Sequence, residues 1–139
     1  MTLARLIYVS TLSKTCDALA LEDILRVSRQ HNEERKITGL LSHNSEYFLQ
    51  CLEGDRDELS ETYNHIINDS RHSNVTITYY KEIYSRQFGD WSMGEVPQTH
   101  LTSLLNLQFS GTDEFKPYEL TGKSAYLMLV ALKQHLPSE

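Results

Sequence analysis

The sequence lacks most of the features that assign a chemistry on sight. It has only two cysteines, Cys16 and Cys51, far apart and in no CxxC pair, so no disulfide framework or thiolate metal site is written into it. No apolar run approaches the ~20 residues that a membrane helix requires. The Met1 to Val9 stretch leads straight into strand-like sequence and does not read as a secretory leader. A soluble protein of the reduced cytoplasm is therefore expected. Basic residues are also scarce. Thirteen Lys and Arg against nineteen Asp and Glu give a net charge of −6, which argues against a nucleic-acid surface and against anionic membrane. No GxGxxG, GxSxG or HExxH is present, and the six histidines show no metal-ligand spacing. Thr121-Gly122-Lys123-Ser124 ends like a phosphate-binding loop, but the motif needs glycine where Pro117 stands.

What is present is a strong alternation of patterns over 139 residues, a length suited to one domain with a substantial core. Leu3 to Ser10 is rich in β-branched and aromatic residues and reads as a central strand, with Leu6, Tyr8 and Ser10 on one face and Arg5, Ile7 and Val9 on the other. From Leu19 to Glu34 the period becomes helical: Leu21, Ile24, Leu25 and Ser28 share a stripe that Asn32 extends by a turn. Ile37 to His43 and Tyr47 to Glu53 form a hairpin around Asn44, Ser45 and Glu46. Asp55 then stands where it can cap a second helix to Asn68, with Leu59, Tyr63, Ile66 and Ile67 inward. After a polar turn, Asp69 to His72, Val75 to Tyr84 and Trp91 to Val96 read as the last two strands.

The order β-α-β-β-α-β-β predicts an α+β, ferredoxin-like sandwich: a five-stranded mixed sheet with both helices on one face. The opposite face would expose Ile7, Val9, Leu49 and Cys51. Two more helical stretches, Leu101 to Phe109 and Ser124 to Leu136, are expected to cover it, unless a second copy of the chain does so. The division expected is residues 1–97 as one domain and 98–139 as a helical extension.

Gln50 is the anomaly of the hairpin, because alternation places its carboxamide between Phe48 and Leu52 on an apolar face. Left without partners there, an amide costs about 1–3 kcal/mol. Tyr8, Ser28 and Asn32 converge on the same space between sheet and helices, which suits a flat, partly polar ligand. The amides match a ring edge that carries both N–H and C=O groups, such as a flavin, which Asn32 could bind with its carbonyl and NH₂ together. Arg71 and His72 stand near as cations for a ribityl chain and phosphates.

Five segments carry a resemblance: Arg5-Leu6-Ile7-Tyr8-Val9-Ser10 with Asn32; Ile37-Thr38-Gly39-Leu40-Leu41; Phe48-Leu49-Gln50-Cys51-Leu52-Glu53-Gly54; Asp69-Ser70-Arg71-His72; and Phe88-Gly89-Asp90-Trp91-Ser92-Met93. Over residues 3 to 97 the chain resembles the BLUF family of blue-light sensors using flavin, in its short, stand-alone form. The resemblance implies FAD held noncovalently by Ile24, Ser28 and Asn32 on the first helix, Ile66 on the second, and Asp69, Arg71 and His72 beyond it. It also implies a Tyr8–Gln50 hydrogen bond, transfer of an electron and a proton from Tyr8 in light, and rotation or tautomerisation of the Gln50 amide. No net catalysis is expected.

Trp91 and Met93, two apart, are expected on one strand face, where they would compete for the place beside Gln50. The signal would pass through the edge strand and C-terminal helices to an unidentified partner protein, with the chain itself a homodimer or larger. Rival readings are a flavin-dependent oxidoreductase, which needs an open substrate site and a hydride route, and a ferredoxin-like binding module with no light role. An RNA-binding sheet is opposed by the acidic balance and by the absence of an RNP1 pattern.

Overall fold

Strand β1 (Leu3–Leu12) is the strand around which the sheet is built. It pairs antiparallel with β3 (Tyr47–Asp55) on one side and with β4 (His72–Glu82) on the other. Strand β2 (Thr38–His43) closes the hairpin with β3 and pairs in parallel with β5 (Gly94–Pro97), giving the order β4-β1-β3-β2-β5. The computed structural model describes residues 1–136, and the expected sandwich is the architecture found. Gly39 is required in β2, since a Cβ there would meet the Cys51 carbonyl oxygen at 2.0 Å.

Helices α1 (Ala18–Arg35) and α2 (Arg56–Ile67) lie on one face. The α1 start is fixed by Asp17, whose carboxylate accepts the Ala20 N–H at 2.9 Å. Asp55 precedes α2 as expected, but its carboxylate takes the Thr2 N–H at 3.2 Å and forms no cap bond. Leu21, Ile24, Leu25, Leu59, Tyr63 and Ile66 pack on Leu6, Tyr8, Phe48 and Leu52. Ile67, expected inward, is the last residue of α2 and is largely exposed, and Thr62 is buried instead.

The other face is covered by the chain itself. Helix α3 (Ser103–Ser110) contributes Leu105 and Phe109, and α4 (Gly122–Leu132) contributes Ala125, Met128, Leu129 and Leu132, packed on Ile7, Val9, Leu49 and Cys51. The apolar face that suggested self-association is therefore occupied internally. Thr121 and Gly122, which resembled a phosphate loop, start α4. The Thr121 hydroxyl accepts the Ser124 N–H, and a Cβ on Gly122 would meet the Thr78 carbonyl oxygen at 2.2 Å. Glycine is what lets α4 rest on the edge strand.

One expected strand is shortened. Residues 91–93 lie outside β5, and their carbonyls are held from the side: Gly39 N–H donates to Trp91 O at 3.0 Å, the Asn32 amide to Ser92 O at 2.8 Å, and Arg29 Nε to Met93 O at 3.2 Å. Without a regular ladder the two-residue alternation fails, and Trp91 and Met93 fall on opposite sides. Trp91 joins the core beneath α4, and Met93 joins the core beneath α1 and α2.

Candidate functional site

A cleft that is partly open to solvent lies between α1, α2 and the sheet. Its floor is the centre of the β1–β3 ladder, where Tyr8 and Gln50 are directly paired. Both side chains are almost fully buried, and the Tyr8 hydroxyl donates to Gln50 Oε1. That leaves the Gln50 amide nitrogen to donate to Met93 Sδ, at 3.1 Å. A thioether is a weak acceptor and offers no hydrogen, so this end of the amide is held lightly while the carbonyl end is held firmly.

Burial drives the Tyr8 phenol far above its ordinary range, with smaller contributions from Tyr63 and Asp69. It therefore remains protonated, and the Gln50 carbonyl is the proton acceptor in contact with it. His72 packs edge-on to Tyr8 and Phe48. Its Nε2 must donate to the Ile66 carbonyl at 2.8 Å, and its Nδ1 lies 3.0 Å from the Ser10 hydroxyl. Both ring nitrogens thus have partners within the protein, and His72, expected as a cation for phosphate, braces β4 against β1 and α2.

Arg71 is also engaged within the protein. Its guanidinium binds Asp69 through Nε and Nη2 and reaches Asp23 of α1 through Nη1 at 3.0 Å. These contacts hold the Asp69 carboxyl below the usual range. Asp69, Arg71 and His72 do line the cleft, but as a cross-brace between α1 and the end of α2. Asn32 is buried at the cleft wall with one amide hydrogen committed to Ser92 O, so only its carbonyl and second N–H remain for a ligand. Ile24, Ser28 and Ile66 line the cleft where the sequence placed them. Trp91 does not line it.

Sequence reasoning missed His31, Thr62 and His65. His31 on α1 bonds the Thr62 hydroxyl of α2 at 2.8 Å and meets the His65 ring edge-on at 5.8 Å, bridging the two helices at the cleft. Helical spacing does place Thr62 and His65 three apart on α2. The residue that joins them from the other helix is set only by tertiary packing.

The cleft chemistry fits a flavin. Ile24, Leu25, Leu41, Phe48, Leu52 and Ile66 supply apolar walls for a flat ring, and the donor and acceptor positions that Gln50 and Asn32 have left supply a hydrogen-bonding edge. The family model for BLUF, sensors of blue light using FAD, matches residues 3–94. The photoactivated adenylate cyclase subunit beta of Euglena gracilis is 31% identical over 108 residues, 77% of this chain but only 13% of that protein. The blue light- and temperature-regulated antirepressor BluF of Escherichia coli K12 is 29% identical over 66% of this chain and 23% of its own. The curated relatives named here are thus far longer than the region they share with it. BlsA in its ground state superposes with a TM-score of 0.87 at 29% identity, covering 99% of this chain and 91% of BlsA. BlrB, a BLUF protein in its dark state, gives 0.76 at 28%, covering 94% of each chain. The chain belongs to the BLUF family and is a blue-light sensor that uses flavin. No helix among the described residues is long and apolar enough to cross a membrane.

Proposed function

We propose that the flavin is FAD, held noncovalently between α1 and α2, and that Tyr8, Gln50 and Met93 form the switch that reads it. The observation that carries this reading is the chain Tyr8 O–H to Gln50 Oε1 and Gln50 Nε2 to Met93 Sδ, buried on the cleft floor. Ile24, Ser28, Asn32 and Ile66 would hold the ring, and the Asp69–Arg71 brace with His72 would close the end of the cleft. When bound, the flavin supplies blue absorbance and, once excited, a one-electron oxidant.

Removing an electron from Tyr8 makes its phenol strongly acidic, and Gln50 Oε1 is already in contact to accept the proton. Return of both the electron and the proton to Tyr8 restores its phenol and leaves the amide free to settle with its ends exchanged, by rotation or tautomerisation. The exchanged amide sets a carbonyl against Met93 Sδ, which has no hydrogen to give. Met93 directly precedes β5, an edge strand of four residues, so loss of this contact reaches the strand.

Residues 1–97 are read as the sensor and 98–139 as the element that passes its state to a partner protein. The partner's chemistry is not specified by the cleft. The test is an absorption spectrum before and after blue light. Wild type is expected to show a small red shift that reverses in the dark. Gln50→Leu and Tyr8→Phe are expected to keep the flavin and lose the shift, and an unchanged photocycle in either removes that residue from the switch. A chain that turns over NAD(P)H in the dark with its flavin bound favours the oxidoreductase reading instead.

A further inference from the structure

Met93 meets the relay with its side chain and α1 with its backbone. Its sulfur accepts from the Gln50 amide at 3.1 Å, and its carbonyl accepts from Arg29 Nε at 3.2 Å. Arg29 stands one helical turn before Asn32, so a single stripe of α1 holds two successive carbonyls, Ser92 O through Asn32 and Met93 O through Arg29. The same guanidinium sets its Nη2 3.8 Å from Glu95 Oε1 on β5. The other oxygen of that carboxylate lies 2.6 Å from Nε2 of His43, the last residue of β2. An ionised carboxylate only accepts, so in this bond the imidazole donates. His43 is buried against Phe48, which lines the cleft. A chain of three side chains thus joins α1, β5 and β2, and its guanidinium grips the backbone on both sides of Gly94.

We propose that Arg29 is a positioning residue of the light switch: from α1 it holds Met93 at rest against the Gln50 amide and, through Glu95 and His43, fixes the start of β5. The role rests on the reading of Met93 as part of the switch. Met93 needs such a tether because nothing else specific fixes it. Its side chain is unbranched and adaptable, its thioether is a weak acceptor, and residues 91–93 have no regular ladder. Asn32 lines the cleft, where a ligand draws on the rest of its amide. Arg29 does not line it, so its hold on Met93 is independent of what the cleft contains.

The tether is also built to open. The Arg29 side chain is 46% exposed and that of Glu95 26%, so water and salt screen their pairing and it adds little to stability. Releasing it therefore leaves the fold intact while shifting Met93 away from its resting place. The return to rest after illumination then proceeds without the guanidinium to receive the Met93 carbonyl.

The experiment records dark recovery of the flavin absorbance, and methyl NMR in the dark, on the flavin-loaded full chain labelled with ¹³C-methyl methionine. The chain has three methionines, so Met93 is read against exposed Met1 and against Met128 in the core beneath α4. Arg29→Ala is expected to move or broaden the Met93 signal, leave Met128 in place, and slow recovery about fivefold, the worth of one hydrogen bond. Flavin retention and the urea midpoint are expected to stay as in wild type. Glu95→Gln, which keeps an oxygen for His43, is expected to slow recovery less, and to add nothing in the Arg29→Ala background. Arg56→Ala, at a half-exposed arginine of α2 paired with Asp57 and Glu82, is expected to match wild type throughout. The proposal is overturned by Arg29→Ala with wild-type recovery or an unmoved Met93 signal, by a control that slows equally, or by Glu95→Gln adding its full effect to Arg29→Ala. An unchanged photocycle in Tyr8→Phe or Gln50→Leu removes the switch itself, whereas an unchanged Arg29→Ala beside inactive Tyr8→Phe and Gln50→Leu removes only the tether.

Discussion

The two faces of this sheet are built from alternate residues of the same strands, yet one is closed and the other is left open. Beneath α3 and α4, Ile7, Val9, Leu49, Cys51, Met128 and Leu129 have no exposed surface at all. The polar groups there are matched within the protein. Glu53 accepts from Arg5 Nε at 2.8 Å and from the Gln87 and Phe88 N–H groups, and the Arg5 guanidinium sits 4.4 Å over the Tyr126 ring. Beneath α1 and α2 the same strands present Tyr8 and Gln50, whose polar ends satisfy each other only in part, beside a cleft the side chains do not fill. The difference separates two kinds of burial: one face is closed by the chain's own side chains, and the other sets buried polar groups beside a cleft.

The comparison is broken most directly on the closed face. Glu53→Ala leaves Arg5 buried without its partner and is expected to cost about 3–5 kcal/mol by urea unfolding, with or without flavin. A loss below about 1 kcal/mol would show the pair to be dispensable. Leu129→Ala, a cavity at a fully buried site, is expected to cost about 2–5 kcal/mol. Flavin sharpens the contrast. At about 100 times its Kd it should stabilise wild type and Leu129→Ala alike, by about 2.7 kcal/mol. A markedly smaller gain in the variant would mean that the two faces are energetically coupled.

The smallest expected effect lies at the cleft, in the His31 bridge. Burial, then Arg35 and His65, lower the His31 pKa below 6.5, opposed weakly by Glu61 and Glu34. The unfolded imidazole therefore takes up a proton first as pH falls. The stability contribution is present above about pH 6.5 and is lost as pH drops from there toward the folded pKa. His31→Gln is expected to flatten that part of the melting-temperature profile, and identical slopes would exclude His31 from the effect.

The sequence disclosed the parts of the fold that regular periodicity governs. Alternation along β1 and β3 placed Tyr8 and Gln50 on the cleft side and Ile7 and Cys51 on the other. Helical spacing found the stretch that forms α4 and covers the second face. It failed where side chains replace the ladder. Trp91 and Met93 were assigned one face because a strand was assumed, while Asn32 and Arg29 hold that segment out of regular pairing. It also did not show the bonds that Arg71 and His72, whose types suggested phosphate, make within the protein to Asp69, Asp23 and Ile66. Which hydrogen bond a versatile side chain makes depends on neighbours that no local pattern records.

The relay on the cleft floor is mechanically lopsided. Its phenol and amide are spaced by two adjacent strands bonded along their whole length, whereas the sulfur at the far end rides on a segment tethered by Asn32 and Arg29. In the proposed switch, the displacement that an exchanged amide demands would fall on the Met93 segment, which side chains and not a regular ladder hold, so the direction of travel would be set by the architecture before any photon arrives.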